Sequence, residues 1–307
     1  MEETIIQANH LSKKYKDIYA VNDASFVIKK GEIVGLVGKN GAGKTTLIRM
    51  LTGIASVSEG SFSLFGDDSK TKYKQLAKVA TMIEAPALYE RMDAVSNMVY
   101  ACKIKGVKDP IKSGYIKEKL EFVGLGDMYS SKRKVADYSL GMKQRLSIAM
   151  ATIGEPELMI LDEPTNGLDP SGIKEIRDLL TKLNKEKGVT MIISSHILSE
   201  LSKFATSYIF IDSGKIIDQV SAIDMEKKVG KIIQIVTDNV EKTTSLFNEK
   251  DVSFTFDGKT FCIKDVDDVL AILNMLQAAG IKPLSFKEEE NALEDYYLEL
   301  LGGNENA

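Results

Sequence analysis

The chain has no tryptophan, two histidines, two cysteines and six prolines in 307 residues. Cys102 and Cys262 lie far apart and in no metal-ligand spacing. That excludes a disulfide framework and a cysteine-built zinc site, and it suits thiols of a cytosolic protein. Long apolar runs are absent: the longest, such as Leu158 to Leu161 and Ile209 to Ile211, are far too short to cross a bilayer. The start, Met1-Glu2-Glu3-Thr4, is acidic where a signal peptide is basic, so no export leader is expected. A basic surplus is absent too. Forty Lys and Arg face 44 Asp and Glu, a formal charge of −4, which argues against nucleic acid as a partner. If such a chain works at a membrane, it must dock on something that spans it. What remains is 44% hydrophobic and 27% charged, an ordinary globular balance with length for one large domain and a smaller one.

Along the chain, Ile5-Ile6 and Phe26-Val27-Ile28 read as early strands, with a turn at Lys30-Gly31. Glu32 to Val37 reads as a buried strand that runs into a glycine-rich loop, and a helix follows from Gly43 to about Leu51. Ser61 to Leu64 and Val79 to Ile83 are further strands. Residues from about 85 to 150 change character: helical patterns at Val95 to Lys105 and Ile116 to Val123 are separated by Asp109-Pro110 and Ser113-Gly114. Ser139 is placed to cap a helix reaching about Ile153. Leu158 to Leu161 and Val189 to Ser194 are buried strands, separated by a helix carrying Ile173, Ile176, Leu180 and Leu183. Residues 208 to 217 read as a hairpin around Ser213-Gly214. Alternating strands and helices imply an α/β fold with a largely parallel sheet covered on both faces. After about Gly230 the pattern restarts as a small α+β unit with strands at Ile232 to Val236, Ser253 to Phe256 and Phe261 to Lys264. An amphipathic helix from Asp265 to Ala279, a strand from Ile281 to Phe286 and a helix from Leu293 to Leu301 complete it.

Gly38-Lys39-Asn40-Gly41-Ala42-Gly43-Lys44-Thr45, followed by Thr46, fits the phosphate-binding P-loop pattern. Glycines let successive backbone N–H groups turn inward into a concave anion site. The helix beginning there aims its positive end at the phosphates. Lys44 reaches the β- and γ-phosphates, and the Thr45 hydroxyl ligates Mg²⁺. The strand Leu158 to Leu161 ends in Asp162-Glu163, and parallel sheets present ligands at the carboxyl ends of their strands. Asp162 is expected to hold Mg²⁺, and Glu163 to polarise an attacking water as general base. ATP and Mg²⁺ are thus the expected ligands.

With these motifs placed, residues 4 to 220 strongly resemble the ABC ATPase family. The resemblance implies a P-loop ABC ATPase cassette over residues 1 to 225, with a mixed sheet and a helical insertion at about 85 to 150. Residues 230 to 307 form the C-terminal α+β accessory domain. It also implies site residues. Tyr15, in Lys13-Lys14-Tyr15, matches the adenine-stacking aromatic. Tyr138-Ser139-Leu140-Gly141-Met142-Lys143-Gln144-Arg145 matches the family's Leu-Ser-Gly-Gly-Gln signature, with Ser139 and Gly141 kept and Leu140 and Met142 as departures. That segment binds the γ-phosphate held by the opposite subunit. Asn166-Gly167-Leu168-Asp169 occupies the D-loop, which makes Asp169 a nucleotide-site residue, and His196 matches the switch histidine that contacts the γ-phosphate. Glu84 stands where the family has a metal-sensing glutamine, and a carboxylate there ligates Mg²⁺ as well. Glu84-Ala85-Pro86, the Ser-Leu-Gly-Met variant and the ending Ala292-Leu293-Glu294-Asp295-Tyr296-Tyr297 are similar to the ATPases of bacitracin-type and lantibiotic-immunity exporters.

The expected function is therefore ATP hydrolysis that powers a separate membrane permease, by a subunit peripheral on the cytoplasmic face of the membrane that pairs with a second copy on ATP. The subgroup implies export of peptide antibiotics. Two alternatives stand beside it: a non-transport ABC ATPase, and a nucleotide-dependent sensor or regulator, for which Glu84 and Leu140 speak.

Overall fold

The fold is that of a computed structural model, which describes residues 3–68, 72–83, 88–229, 232–263, 269–289 and 292–304. Glu84 and its neighbours to Ala87, and residues 265–268 of the expected helix, lie outside them. Contacts divide the chain into two units, Met1–Gln219 and Val220–Ala307. In the second unit the helix Ala222–Val229 packs on the last helix of the chain, Ala292–Asn304.

In the first unit the order is β1 (Thr4–Tyr15), β2 (Ile18–Lys29), β3 (Ile33–Val37), α1 (Lys44–Leu51), β4 (Glu59–Leu64), β5 (Val79–Met82), α2 (Ala94–Ile104), α3 (Tyr115–Phe122), α4 (Leu140–Ala151), β6 (Leu158–Asp162), α5 (Pro170–Lys187), β7 (Thr190–Ser195), α6 (Leu198–Leu201), β8 (Ser207–Asp212) and β9 (Lys215–Ser221). The central sheet runs β5-β6-β7-β3-β8-β9. Its first five strands pair in parallel. Every residue of β3, β6 and β7 is buried, as expected for strands covered on both faces. A two-residue turn with positive φ at Ser213 and Gly214 joins β8 to β9, the geometry that matches strand twist in a hairpin.

A second, antiparallel sheet runs β2-β1-β4. Helix α1 lies in the core between the two sheets. Leu47, Ile48, Met50 and Leu51 of α1 share one apolar cluster with Ile5, Ile6, Leu11, Phe62 and Leu64 on one side and Leu36, Ile160, Ile192 and Ile209 on the other. Each such fully buried side chain contributes on the order of 1.5–3 kcal/mol, so the start of α1, and the loop before it, is anchored from both sides. The helical insertion is tied down by polar contacts. Asp93 caps α2 by accepting from the Ser96 amide at 2.7 Å, and buried Lys119 of α3 donates to Glu155 at 2.6 Å.

The second unit holds α7 (Ala222–Val229), β10 (Ile232–Thr237), α8 (Val240–Glu249), β11 (Phe254–Phe256), β12 (Phe261–Ile263), α9 (Val269–Ala278), β13 (Pro283–Glu289) and α10 (Ala292–Asn304). From β10 to β13 this is a β-α-β-β-α-β order, and the antiparallel sheet β11-β12-β10-β13 has the ferredoxin-like arrangement. Ile233, Ile235, Phe261 and Ile263 of the sheet pack with Phe247 of α8 and Ile272 and Leu276 of α9. No element is expected from the sequence over α8, whose stretch Glu241 to Ser245 is polar. It forms because Asn239 caps it by accepting from the Lys242 amide at 2.9 Å, and because Thr243 and Phe247 are fully buried. No helix of the described residues is long and apolar enough to cross a membrane.

Candidate functional site

Parallel strands bring three carboxyl ends to one edge of the central sheet. In register, Val37 of β3 lies beside Ser195 of β7, and Asp162 of β6 beside Ser194. The chain order reverses around β3, which neighbours β7 and β8, and a crevice opens at such a switch point.

From β3 the chain turns through the Gly38 to Gly43 loop into α1. Gly41 and Gly43 have φ of 82° and 110°, where a side chain is strained. Space is limiting as well: a Cβ on Gly38 would stand 2.4 Å from the Ile211 carbonyl oxygen, and one on Gly43 2.6 Å from that of Ala20. No side chain caps α1, so its first amides are presented to the loop's concave side, where helix dipole and N–H groups favour an anion. Lys44 is only 7% exposed. Its Nζ donates to the carbonyls of Gly38 at 2.6 Å and Lys39 at 3.2 Å. Burial lowers its pKa, against the opposing pull of Glu163 and Asp162.

The acids meet the loop directly. Thr45 Oγ1 donates to Asp162 Oδ2 at 2.9 Å, and Ser194 Oγ donates to Asp162 Oδ1. Glu163 has φ 51°, a left-handed conformation that is costly for a residue with a side chain. Its amide donates to Ser194 Oγ at 2.9 Å, and its Oε2 lies 2.7 Å from His196 Nδ1. Facing these groups is a cavity of about 580 Å³. Lys39, Asn40, Gly41, Gly43, Lys44, Thr45, Thr46, Asp162 and Glu163 all line it. Gly38 and Ala42 belong to the loop but not to the lining.

Other expected residues sit elsewhere. Tyr15, at the end of β1, is half exposed and outside the lining, with Lys13 Nζ 4.9 Å from its ring centre. Ser139 caps α4, accepting from the Met142 amide at 3.2 Å. Gly141 has open space, its nearest would-be contact being Leu168 at 3.9 Å. Leu140 is 44% exposed, lines the cavity and packs against Gly167. The Asp169 carboxylate is engaged in capping α5, accepting from Ser171 Oγ at 2.8 Å and from the Gly172 amide at 3.0 Å. Those two bonds, the hydroxyl first, lower its pKa. Sequence reasoning did not single out Ser194, Ala20 or Gln144. Ala20 and Gln144 line the cavity, and a hydroxyl following the apolar run Met191 to Ile193 was the available signal for Ser194.

An amide-lined loop with a buried lysine, a hydroxyl–carboxylate pair and an acid–histidine contact are the kinds of group with which P-loop ATPases hold and cleave a nucleotide. Comparison with known proteins agrees. The ABC transporter family profile matches residues 21–166. The bacitracin transport ATP-binding protein BcrA of Bacillus licheniformis is 37% identical over 98% of both chains. Its namesake from Enterococcus faecalis is 39% identical over 98% of this chain and 97% of that one. The lantibiotic transport ATP-binding protein SrtF of Streptococcus pyogenes is 42% identical over 69% of this chain and 89% of its own. Among solved structures, an ATP-binding subunit of an ABC transporter superposes with TM-score 0.63 at 29% identity, over 73% of this chain and 92% of that one. CbiO1 of Clostridium perfringens, part of the ABC transporter complex cbiONQ, superposes with TM-score 0.65 at 26% identity, over 74% and 92%. The chain belongs to the ABC transporter family, as an ATP-binding subunit that hydrolyses ATP.

Proposed function

We propose that this subunit powers a separate membrane permease that exports peptide antibiotics of the bacitracin or lantibiotic kind, working peripherally on the cytoplasmic face. The observation that carries this reading is the end-to-end match: similarity to the bacitracin transport ATPases extends over 98% of each chain, C-terminal unit included. Exposed Tyr89, Met92 and Tyr100 on the helical insertion support a docking surface for the permease. Tyr89 and Tyr100 pack edge-to-face with ring centres 4.7 Å apart.

In this reading the triphosphate of ATP lies along the amides of the Gly38 to Lys44 loop, and Lys44 turns from its two carbonyls to the β- and γ-phosphates. Tyr15 offers a ring face to the base. Thr45 and Asp162 are hard oxygen donors already in contact and fit Mg²⁺, which prefers a few such ligands plus water and phosphate. When bound, that ion would neutralise charge on the phosphates. Glu163 orients and deprotonates the attacking water, and His196 steadies the Glu163 carboxylate and reaches the γ-phosphate. Glu84 is proposed as a further oxygen ligand from outside the described residues. Ser139 and Gly141, at the start of α4, meet the γ-phosphate of a second copy in a closed dimer, with Asp169 and the loop before it at that junction. ATP binding closes the pair and hydrolysis reopens it, and that motion drives the permease.

The test is expression of this chain alone and together with the product of each neighbouring reading frame. Co-isolation with a multi-span product, with resistance to bacitracin or a lantibiotic that is lost on Glu163→Gln, is the expected result. A chain that isolates without any polytopic partner and changes no resistance overturns the proposal.

A further inference from the structure

We propose that Ser194 is a positioning residue that holds Asp162 and Glu163 as one unit and so sets how the site takes up magnesium nucleotide. The inference rests on Thr45 and Asp162 being the magnesium-holding pair. Ser194 is fully buried at the end of β7, in register with Asp162. A hydroxyl carries one proton and accepts through its lone pairs. Here the proton goes to Asp162 Oδ1, and a lone pair takes the Glu163 amide at 2.9 Å. Thr45 holds the other Asp162 oxygen at 2.9 Å. The carboxylate is thus gripped from two elements, β7 and α1. Its terminal torsion, broad in a free side chain, is fixed with Oδ2 toward the phosphate loop. The same hydroxyl pins the left-handed turn at Glu163 (φ 51°), which directs its carboxylate to His196 at 2.7 Å.

Without the hydroxyl, Asp162 Oδ1 loses its buried donor. The Glu163 amide keeps only the Ser194 carbonyl, at 3.2 Å. Asp162 then swings, and the loss falls on magnesium-dependent steps rather than on the amide cup that binds the phosphates.

The experiment compares the full chain with Ser194→Ala and Ser194→Thr, using a fluorescent ATP analogue in magnesium and in EDTA, alongside ATP turnover and thermal unfolding. For wild type, magnesium is expected to tighten binding. In Ser194→Ala that gain shrinks at least about tenfold, the lower end for one hydrogen bond to a charged group. Affinity in EDTA stays within about threefold of wild type, and kcat falls about tenfold with a smaller change in KM. Ser194→Thr restores the gain. A Ser194→Ala chain with the full magnesium gain overturns the proposal, as does one that loses affinity equally in EDTA. If the alanine variant does not fold, the threonine variant decides: a folded Ser194→Thr chain without the gain overturns it, and one with the gain supports it. Wild type that gains nothing from magnesium overturns the magnesium-holding pair itself, and is thereby distinguished from failure at Ser194 alone.

Discussion

Replacing Lys44 by methionine is expected to separate stability from function. The ammonium is almost fully enclosed and its hydrogen bonds go to two carbonyls, Gly38 at 2.6 Å and Lys39 at 3.2 Å. Enclosure disfavours its charge, and Glu163 and Asp162 restore part of the loss. Taking a charge out of water costs several kcal/mol, while each hydrogen bond to a charged group returns about 1.5–3 kcal/mol. The two sides nearly cancel, so Lys44→Met, of similar length and apolar, leaves stability within about 1 kcal/mol, a Tm change of no more than about 4 °C for a unit of this size. Nucleotide binding differs, because the phosphates bring a negative charge that the two carbonyls lack. The loss of one charged contact to the phosphates, about 1.5–3 kcal/mol, weakens affinity roughly 10- to 150-fold. Differential scanning fluorimetry without nucleotide and titration with fluorescent ATP measure the two quantities. Affinity within about threefold of wild type would refute the role of Lys44, and a Tm lowered by ten degrees or more would mark it instead as a structural strut.

Glu163→Gln is nearly isosteric and keeps the left-handed turn, so ATP binding should persist while single-turnover hydrolysis falls about 10²- to 10⁴-fold, the span of general-base catalysis. Full hydrolysis would remove Glu163 as the base. Acid should act on Asp169, whose depressed pKa comes from the Ser171 hydroxyl and the Gly172 amide. A depressed carboxylate stabilises the fold above its ordinary pKa, and that contribution is lost as pH falls through the folded-state value. Far-ultraviolet circular dichroism should therefore show wild type losing part of its helix as pH falls below the ordinary carboxylate range, and Asp169→Asn, which keeps an acceptor without the charge, should flatten that part of the acid transition. An unchanged transition would remove Asp169 from the acid response.

The phosphate loop, its lysine and the acid pair were legible because each is local. Glycines at Gly41 and Gly43 answer to the chain's own φ, and strands such as β3 and β6 announce themselves as unbroken apolar runs ending in polar residues. Amphipathic α5 was equally plain, with Ile176, Leu180 and Leu183 on its buried face. The lengths of β1 and β2 were not: left-handed His10 and Asp23 and several register shifts break their alternation, and pairing with β4 carries β1 through. Helix α8 was not legible because its apolar residues are few, and Thr243 and Phe247 form a buried face only against the sheet they cover.

Sequence by itself determined which groups are the candidates for binding phosphate, since the amide cup of the Gly38 to Lys44 loop is made by neighbours along the chain. Only the tertiary structure decided that Thr45 would touch Asp162, 117 positions away, and that Ser194 would bridge the two acids from a third strand. Those contacts depend on β3, β6 and β7 lying side by side, and strand order is set by what the strands bury together, which no short stretch of sequence carries.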